Sequence, residues 1–167
     1  MSPRERSWAE GLAARARELG ALGVWPADPA RLPVRAWVRF HCRFGCPDHG
    51  RWLTCPPHVP PVELTARVLT EYRTGLWVAA EDHPGVNRIL RELRGAAFDA
   101  GAWKAVALGA GHCDLCPECD LGACRHPAGA FPSMEACGIA VLEALELHGI
   151  EARPGGRMPC FGVLLLE

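Results

Sequence analysis

Apolar and polar positions along the chain change period several times. Trp8, Leu12, Ala16 and Leu19 recur at helical spacing and Gly20 stands where a C-terminal cap belongs, so the pattern predicts a helix over 7–20. Apolar and basic residues then alternate through 34–40 (VRAWVRF), which predicts a strand with one wet face. Pro61 fits a first helical turn, and Val62, Leu69 and Tyr72 mark the buried side of a helix over 61–73. A short buried strand follows at 76–80 (LWVAA). Pro84 opens a helix in which Val86, Ile89, Leu90, Leu93, Ala97 and Ala100 recur on one face. A strand over 103–108 comes next. Ser133 reads as the N-cap of a helix that ends before Gly149, and 161–167 closes the chain as a strand.

Helix and strand alternate, so the expected fold is α/β: a single domain over 1–167 with a small, mostly parallel sheet of about four strands and flanking helices. Residues 1–33 supply an N-terminal helix and a connector. Two loops rich in Cys, Pro and Gly, 41–61 and 109–132, each follow a predicted strand, which places them at the carboxyl edge where open α/β sheets gather ligands. Parallel strands at 34–40 and 103–108 would bring the two Cys groups to one edge across about 60 residues of sequence.

Composition narrows the function. The formal charge of −1 leaves no global basic field, which argues against a nucleic-acid partner. The longest clean apolar run, 161–166, falls far short of the ~18 residues of a membrane helix, so no membrane partner is expected. The first eight residues are charged and lack a following apolar stretch, which gives no export signal and a cytoplasmic expectation. Nine cysteines, an odd number, in a reducing compartment are better explained as metal ligands or reactive thiols than as disulfides. Lys104 is the sole lysine among 18 basic residues, which reads as compositional bias rather than chemistry.

The second loop carries Cys113, Cys116, Cys119 and Cys124 as CxxCxxCxxxxC. Three thiolates at three-residue steps let a tight loop wrap the corners of a cubane, close to the bacterial ferredoxin run, although the fourth spacing is one residue longer. Structural zinc usually joins two separated CxxC knuckles, and here Cys116 would have to serve both. Iron–sulfur, most simply [4Fe-4S], is therefore favoured over zinc. Gly109 and Gly111 free backbone N–H groups to point at cluster sulfurs.

The first loop carries Cys42, Cys46 and Cys55, one thiol short of a full protein set. A remote residue could complete it, one iron could stay open to chemistry, or Cys124 could be borrowed across the loops; one or two clusters are thus in play. His49, His58, His112 and His126 lie near enough in sequence to serve, though each also reads as an ordinary loop histidine. Arg43, Arg51 and Arg125 could offset cluster charge or sit solvated at the surface. Cys137 and Cys160 read as small core groups, and Glu63, Glu71 and Glu135 as helix-surface acids. No catalytic triad, phosphate loop or carboxylate pair is present.

These motifs resemble a family of small prokaryotic proteins of unknown function described as predicted metal-binding proteins. The likeness rests on Cys42-x3-Cys46, Cys55-Pro56-Pro57, Gly111-His112-Cys113-x2-Cys116-x2-Cys119, Cys124-Arg125-His126-Pro127, Ser133-Met134-Glu135-Ala136 and Gly138-Ile139, and spans 34–167. It implies a cysteine-ligated centre at the seven motif thiols and no established reaction. Three functions stay open: an iron–sulfur protein exchanging electrons with a partner protein or small molecule, an enzyme using an open cluster iron as Lewis acid or for sulfur chemistry, and a structural zinc interaction module.

Overall fold

Side chains of the central strands point alternately into two separate cores, and both cores are apolar. The computed structural model describes residues 3–167; the first two residues of the segment read for an export signal lie outside the described residues. The elements are α1 (Pro3–Glu18), β1 (Gly23–Ala27), α2 (Ala36–Gly45), α3 (Val62–Leu69), β2 (Gly75–Ala80), α4 (His83–Asp99), β3 (Val106–Leu108), α5 (Val141–Leu147) and β4 (Cys160–Leu165), with 3-10 turns at Pro29–Arg31 and Pro154–Gly156.

The four strands form one sheet in the order β1-β2-β4-β3, and every ladder is antiparallel. This corrects the expected parallel sheet. Alternation of helix and strand along the chain predicts parallel pairing, but that order does not fix which strands pair, and β4 enters the middle of the sheet. Here an antiparallel sheet is covered on both faces: Leu76, Val78 and Leu164 pack under α1 and α4, while Trp77, Val163 and Leu165 pack under Leu69, Ile139 and Leu145. β2 and β3 do run in the same direction, joined by α4, but β4 lies between them and opposes both. Their carboxyl ends therefore share an edge with the start of β4.

Two elements differ in kind from the pattern. Residues 34–40 are mostly helical, because the alternation continues into a helical stripe of Trp37, Phe40 and Phe44, while Val38 turns to the interior. β1, an edge strand holding Pro26, has no legible strand pattern, and the edge is where a strand tolerates proline. The helix expected from Ser133 to Gly149 is divided. Ser133 Oγ accepts from Ala136 N–H at 3.1 Å, but Gly138 at φ +83° ends the turn, and α5 starts only at Val141. Among the described residues, no helix is long and apolar enough to cross a membrane.

Close approach of α4 to β4 depends on Gly162. A Cβ there would stand 2.5 Å from Leu90 Cδ1 and 3.0 Å from the Leu108 carbonyl oxygen. Gly162→Ala should therefore destabilise the protein by about 1–3 kcal/mol, the usual cost of overpacking. Urea denaturation monitored by tryptophan fluorescence checks this, and an unchanged midpoint would mean that α4 has room to move.

Candidate metal centre

The four-thiol loop leaves β3 under tight control from α4. Ala110 N–H donates to Asn87 Oδ1 at 3.1 Å, and Asn87 Nδ2 donates to the Ala110 carbonyl at 3.0 Å, so one buried amide clamps the first turn of the loop. Gly109 sits where a Cβ would collide with Asn87 and Phe131. One turn along α4, Arg91 grips Asp114 through two bonds of 2.8 and 3.1 Å, and Arg94 donates to the Ala128 carbonyl. Between these ties Cys113, Cys116, Cys119 and Cys124 line a narrow pocket of about 20 Å³ shared with Trp52, Leu53 and Thr54. No helix or strand runs through 113–126, so widening this pocket breaks no regular element.

The three-thiol group is built from α2. Cys42 lies near the C-terminal end of α2, Cys46 follows as its extended C-cap, and Cys55 joins them from the loop beyond, all three lining one cleft. α2 is itself fastened to the segment after the other loop: Arg35 N–H donates to the Gly138 carbonyl at 2.8 Å, Arg39 donates to that of Ala136 at 3.0 Å, and the Cys42 thiol faces that of Glu135 at 3.9 Å. The three thiols line a cleft of about 890 Å³ together with Asp48, His49, His112 and Glu135, and its mouth carries Trp37, Phe40 and Leu142.

The two groups meet at a joint of named contacts. Leu53 N–H donates to Cys119 Sγ at 3.4 Å, Asp48 Oδ2 lies 3.1 Å from His112 Nδ1, and the Trp52 and His112 rings stack at 4.5 Å. Asp48 Oδ1 also accepts from Trp52 Nε1 at 3.4 Å. Trp52 thus walls the four-thiol pocket while His112, stacked on it, walls the cleft. The groups lie side by side in separate pockets, and Cys124 stays with its own loop. The expected strand edge is not what gathers them, because 34–40 is mostly helical and the three-thiol group sits on α2 and the loop after it.

Burial raises the pKa of three of the thiols that line these pockets, Cys42, Cys55 and Cys113. Cys55 is pushed up to about 12, by burial first and then by Cys46, Asp48 and Cys42. Cys42 is raised by burial and Cys46, with Arg39 opposing, and Cys113 by burial. A cationic centre would reverse this logic by stabilising the thiolates, and its binding would release their protons. The donor set therefore fits a metal: seven thiols, a backbone N–H on one sulfur, and loops poor in apolar side chains. Among the described residues no three Cys, His, Asp or Glu side chains converge tightly enough for one bare ion.

Of the other sequence-derived candidates, Cys137, Cys160 and His58 lie outside these pockets, whereas Arg125, His126 and Glu135 line them. Cys137 is buried among core residues and pushed up to about 11 by burial, and Cys160 borders Asp82 at the start of β4. Arg125 stands 4.0 Å from Asp120 at the surface, the solvated reading. His58 Nε2 pairs with the Gly50 carbonyl at 3.3 Å, while His126 lines the four-thiol pocket. Glu135 corrects the helix-surface expectation. It precedes Gly138 in the broken turn, Oε2 is buried with no hydrogen-bond partner, and burial raises its pKa. Its place within the motif Ser133-Met134-Glu135-Ala136 was the available signal. Asn87, Arg91 and Arg94 were hidden among helix-surface positions.

The model of a family described as Predicted metal-binding protein (DUF2284) matches residues 27–166. No curated protein and no solved structure matches the chain.

Thiolate is the reactive form, so a raised pKa slows alkylation at neutral pH. In metal-free, reduced protein, the exposed Cys46 and Cys124 should label first, and the buried Cys55 and Cys137 last. Labelling of Cys55 should quicken by about tenfold per pH unit up to its raised pKa. Quenched alkylation with peptide mass spectrometry measures this; equal rates at neutral pH would contradict the burial described.

Proposed function

The chain belongs to this predicted metal-binding family, and on that premise we propose that its metal is iron, held as iron–sulfur clusters by Cys113, Cys116, Cys119 and Cys124 and by Cys42, Cys46 and Cys55, and used to pass electrons to or from a partner. The observation that carries this reading is the pair of neighbouring thiol pockets separated by the stacked Trp52 and His112 rings. Two redox centres at such a joint can exchange electrons, whereas a single structural metal needs no second thiol group beside it. The crowded spacing of Cys113, Cys116 and Cys119 suits a cluster with several corners better than one tetrahedral zinc, whose thiolates would stand only about 3.8 Å apart at Zn–S bonds of about 2.3 Å.

Thiolate-ligated clusters supply one-electron chemistry at potentials set by charge, solvent exposure and hydrogen bonds to sulfur. The chain's own part is to tune and shield them. Leu53 N–H offers its proton to Cys119 Sγ, Arg39 places positive charge near Cys42, and Trp52 covers the four-thiol pocket. The expected setting is the reducing cytoplasm, where nine thiols stay free for metal. A second reading is favoured by the cleft itself. Its volume of about 890 Å³ matches small-molecule sites, and it ends on the thiol group that is one ligand short, as an enzyme with an accessible iron requires.

Protein purified without oxygen should be brown, bleach on reduction and carry acid-labile sulfide with about eight irons per chain when both pockets are filled. Colourless protein with stoichiometric zinc would overturn the iron reading, and about four irons would leave one centre. Cys116→Ser should lose iron and order in 109–132, because metal binding is also folding free energy for so polar a loop. Cys137→Ala should keep its iron and cost about 1 kcal/mol. Iron analysis and thermal denaturation of the two variants separate ligand from core thiol.

A further inference from the structure

The three-thiol group lacks one protein donor, and the wall beside it holds a buried carboxyl oxygen lacking a partner. Glu135 lines the cleft that contains Cys42, Cys46 and Cys55, and its backbone carbonyl lies 3.9 Å from Cys42 Sγ. A buried polar atom without a hydrogen bond costs about 1–3 kcal/mol, and more where the group is charged, so such atoms are rare and call for an explanation such as a bound ion. Ser133 hydrogen-bonds the same carboxyl group, yet Oε2 stays unpartnered. Among other donors near the thiols, both Asp48 oxygens serve Trp52 and His112, and His112 Nδ1 meets Asp48. Cys137 does not line the cleft. His41, which does, has its ring edge-on to Trp37. His41, His49 and the Nε2 of His112 are the competitors among the described residues of the cleft.

We infer that Glu135 is the fourth protein donor of the Cys42, Cys46 and Cys55 centre, so that three corners of its cluster are held by thiolates and one by a carboxylate. The inference rests on the proposed iron reading and deepens it. Carboxylate oxygen is a harder donor than thiolate and a poorer match for cluster iron. The Glu135-bound iron is therefore the exchangeable one, and it faces the cleft of about 890 Å³. One centre thus becomes the place where an outside ligand can bind, while the four-thiol centre next to it is closed.

The test compares the reconstituted full chain with its Glu135→Gln, Glu135→Cys and His49→Ala variants, by iron per chain and by electron paramagnetic resonance after mild ferricyanide oxidation. Glu135→Gln keeps the side-chain volume and should lose one iron from one cluster, giving a three-iron signal while the other cluster's reduced signal persists. Glu135→Cys restores a thiolate and should resist that oxidation better than wild type, a readout that survives even where the amide variant fails to fold. His49→Ala, and His41→Ala and His112→Gln measured alongside it, should each match wild type in iron per chain. Unchanged iron and spectra in Glu135→Gln, loss of the iron in any of the three histidine variants, or a Glu135→Cys variant no more resistant than wild type would each overturn the assignment. Should the wild type bind zinc in place of iron, the iron reading fails separately; Glu135 then stands only if Glu135→Gln weakens one bound zinc at least tenfold.

Discussion

The packing of His112 against Asp48 and Trp52 is the contact on which the thiol-bearing half of the molecule depends. Each of the three comes from a Cys-rich loop with little apolar content of its own, and each satisfies another's polar or aromatic surface. Loops of this kind gain little from hydrophobic burial, so a few directional contacts must set their relative position. The joint holds seven thiols in two neighbouring groups rather than one scattered set. Its side chains pack between the pockets, where a relay between two centres would run.

The sheet explains why the joint can form. β4, last in the chain, enters between β2 and β3 and pairs antiparallel with both, so the ends of β2 and β3 emerge at one edge, on either side of the start of β4, although α4 separates them in sequence. α4 then has one face in the core and a second row of polar side chains at the loop: Asn87, Arg91 and Arg94 hold backbone or carboxylate groups of 110–128. The segment after that loop completes the frame. Gly109 pairs with Ser133 and Val34 with Ile139, which ties the root of one Cys loop to the start of the helix that bears the other.

Electrostatics gives the site its dependence on metal. In the cleft, Cys42 and Cys55 are raised by burial and by neighbouring thiols, and Glu135 adds a further buried acid. Without a cation, these groups favour the protonated form; those that serve as ligands under the proposed reading would release their protons to a bound metal. Metal binding, local order and pH are coupled through the same few side chains.

Much of the helical framework was legible because helical burial follows spacing along the chain alone. Leu12 with Ala16, and Val86 with Leu90 and Leu93, identify α1 and α4 without reference to any partner. The cysteine spacings likewise announced a thiol-rich site, since ligand spacing within a loop is a local property. Strand direction was not local. A strand such as LWVAA reads the same whether its neighbour runs parallel or antiparallel, because the apolar run records coverage of both faces and nothing about who pairs with whom. The segment 34–40 carried both periods, and only its docking against 136–138 made it a helix. Glu135 looked like a surface acid because its burial comes from α2 and the cleft wall, contacts about 90 residues away in sequence. Thiol-rich chemistry was thus written in the sequence; the adjacency of the two groups and the buried carboxylate beside one of them were decided by tertiary packing, which brings together residues that no sequence period connects.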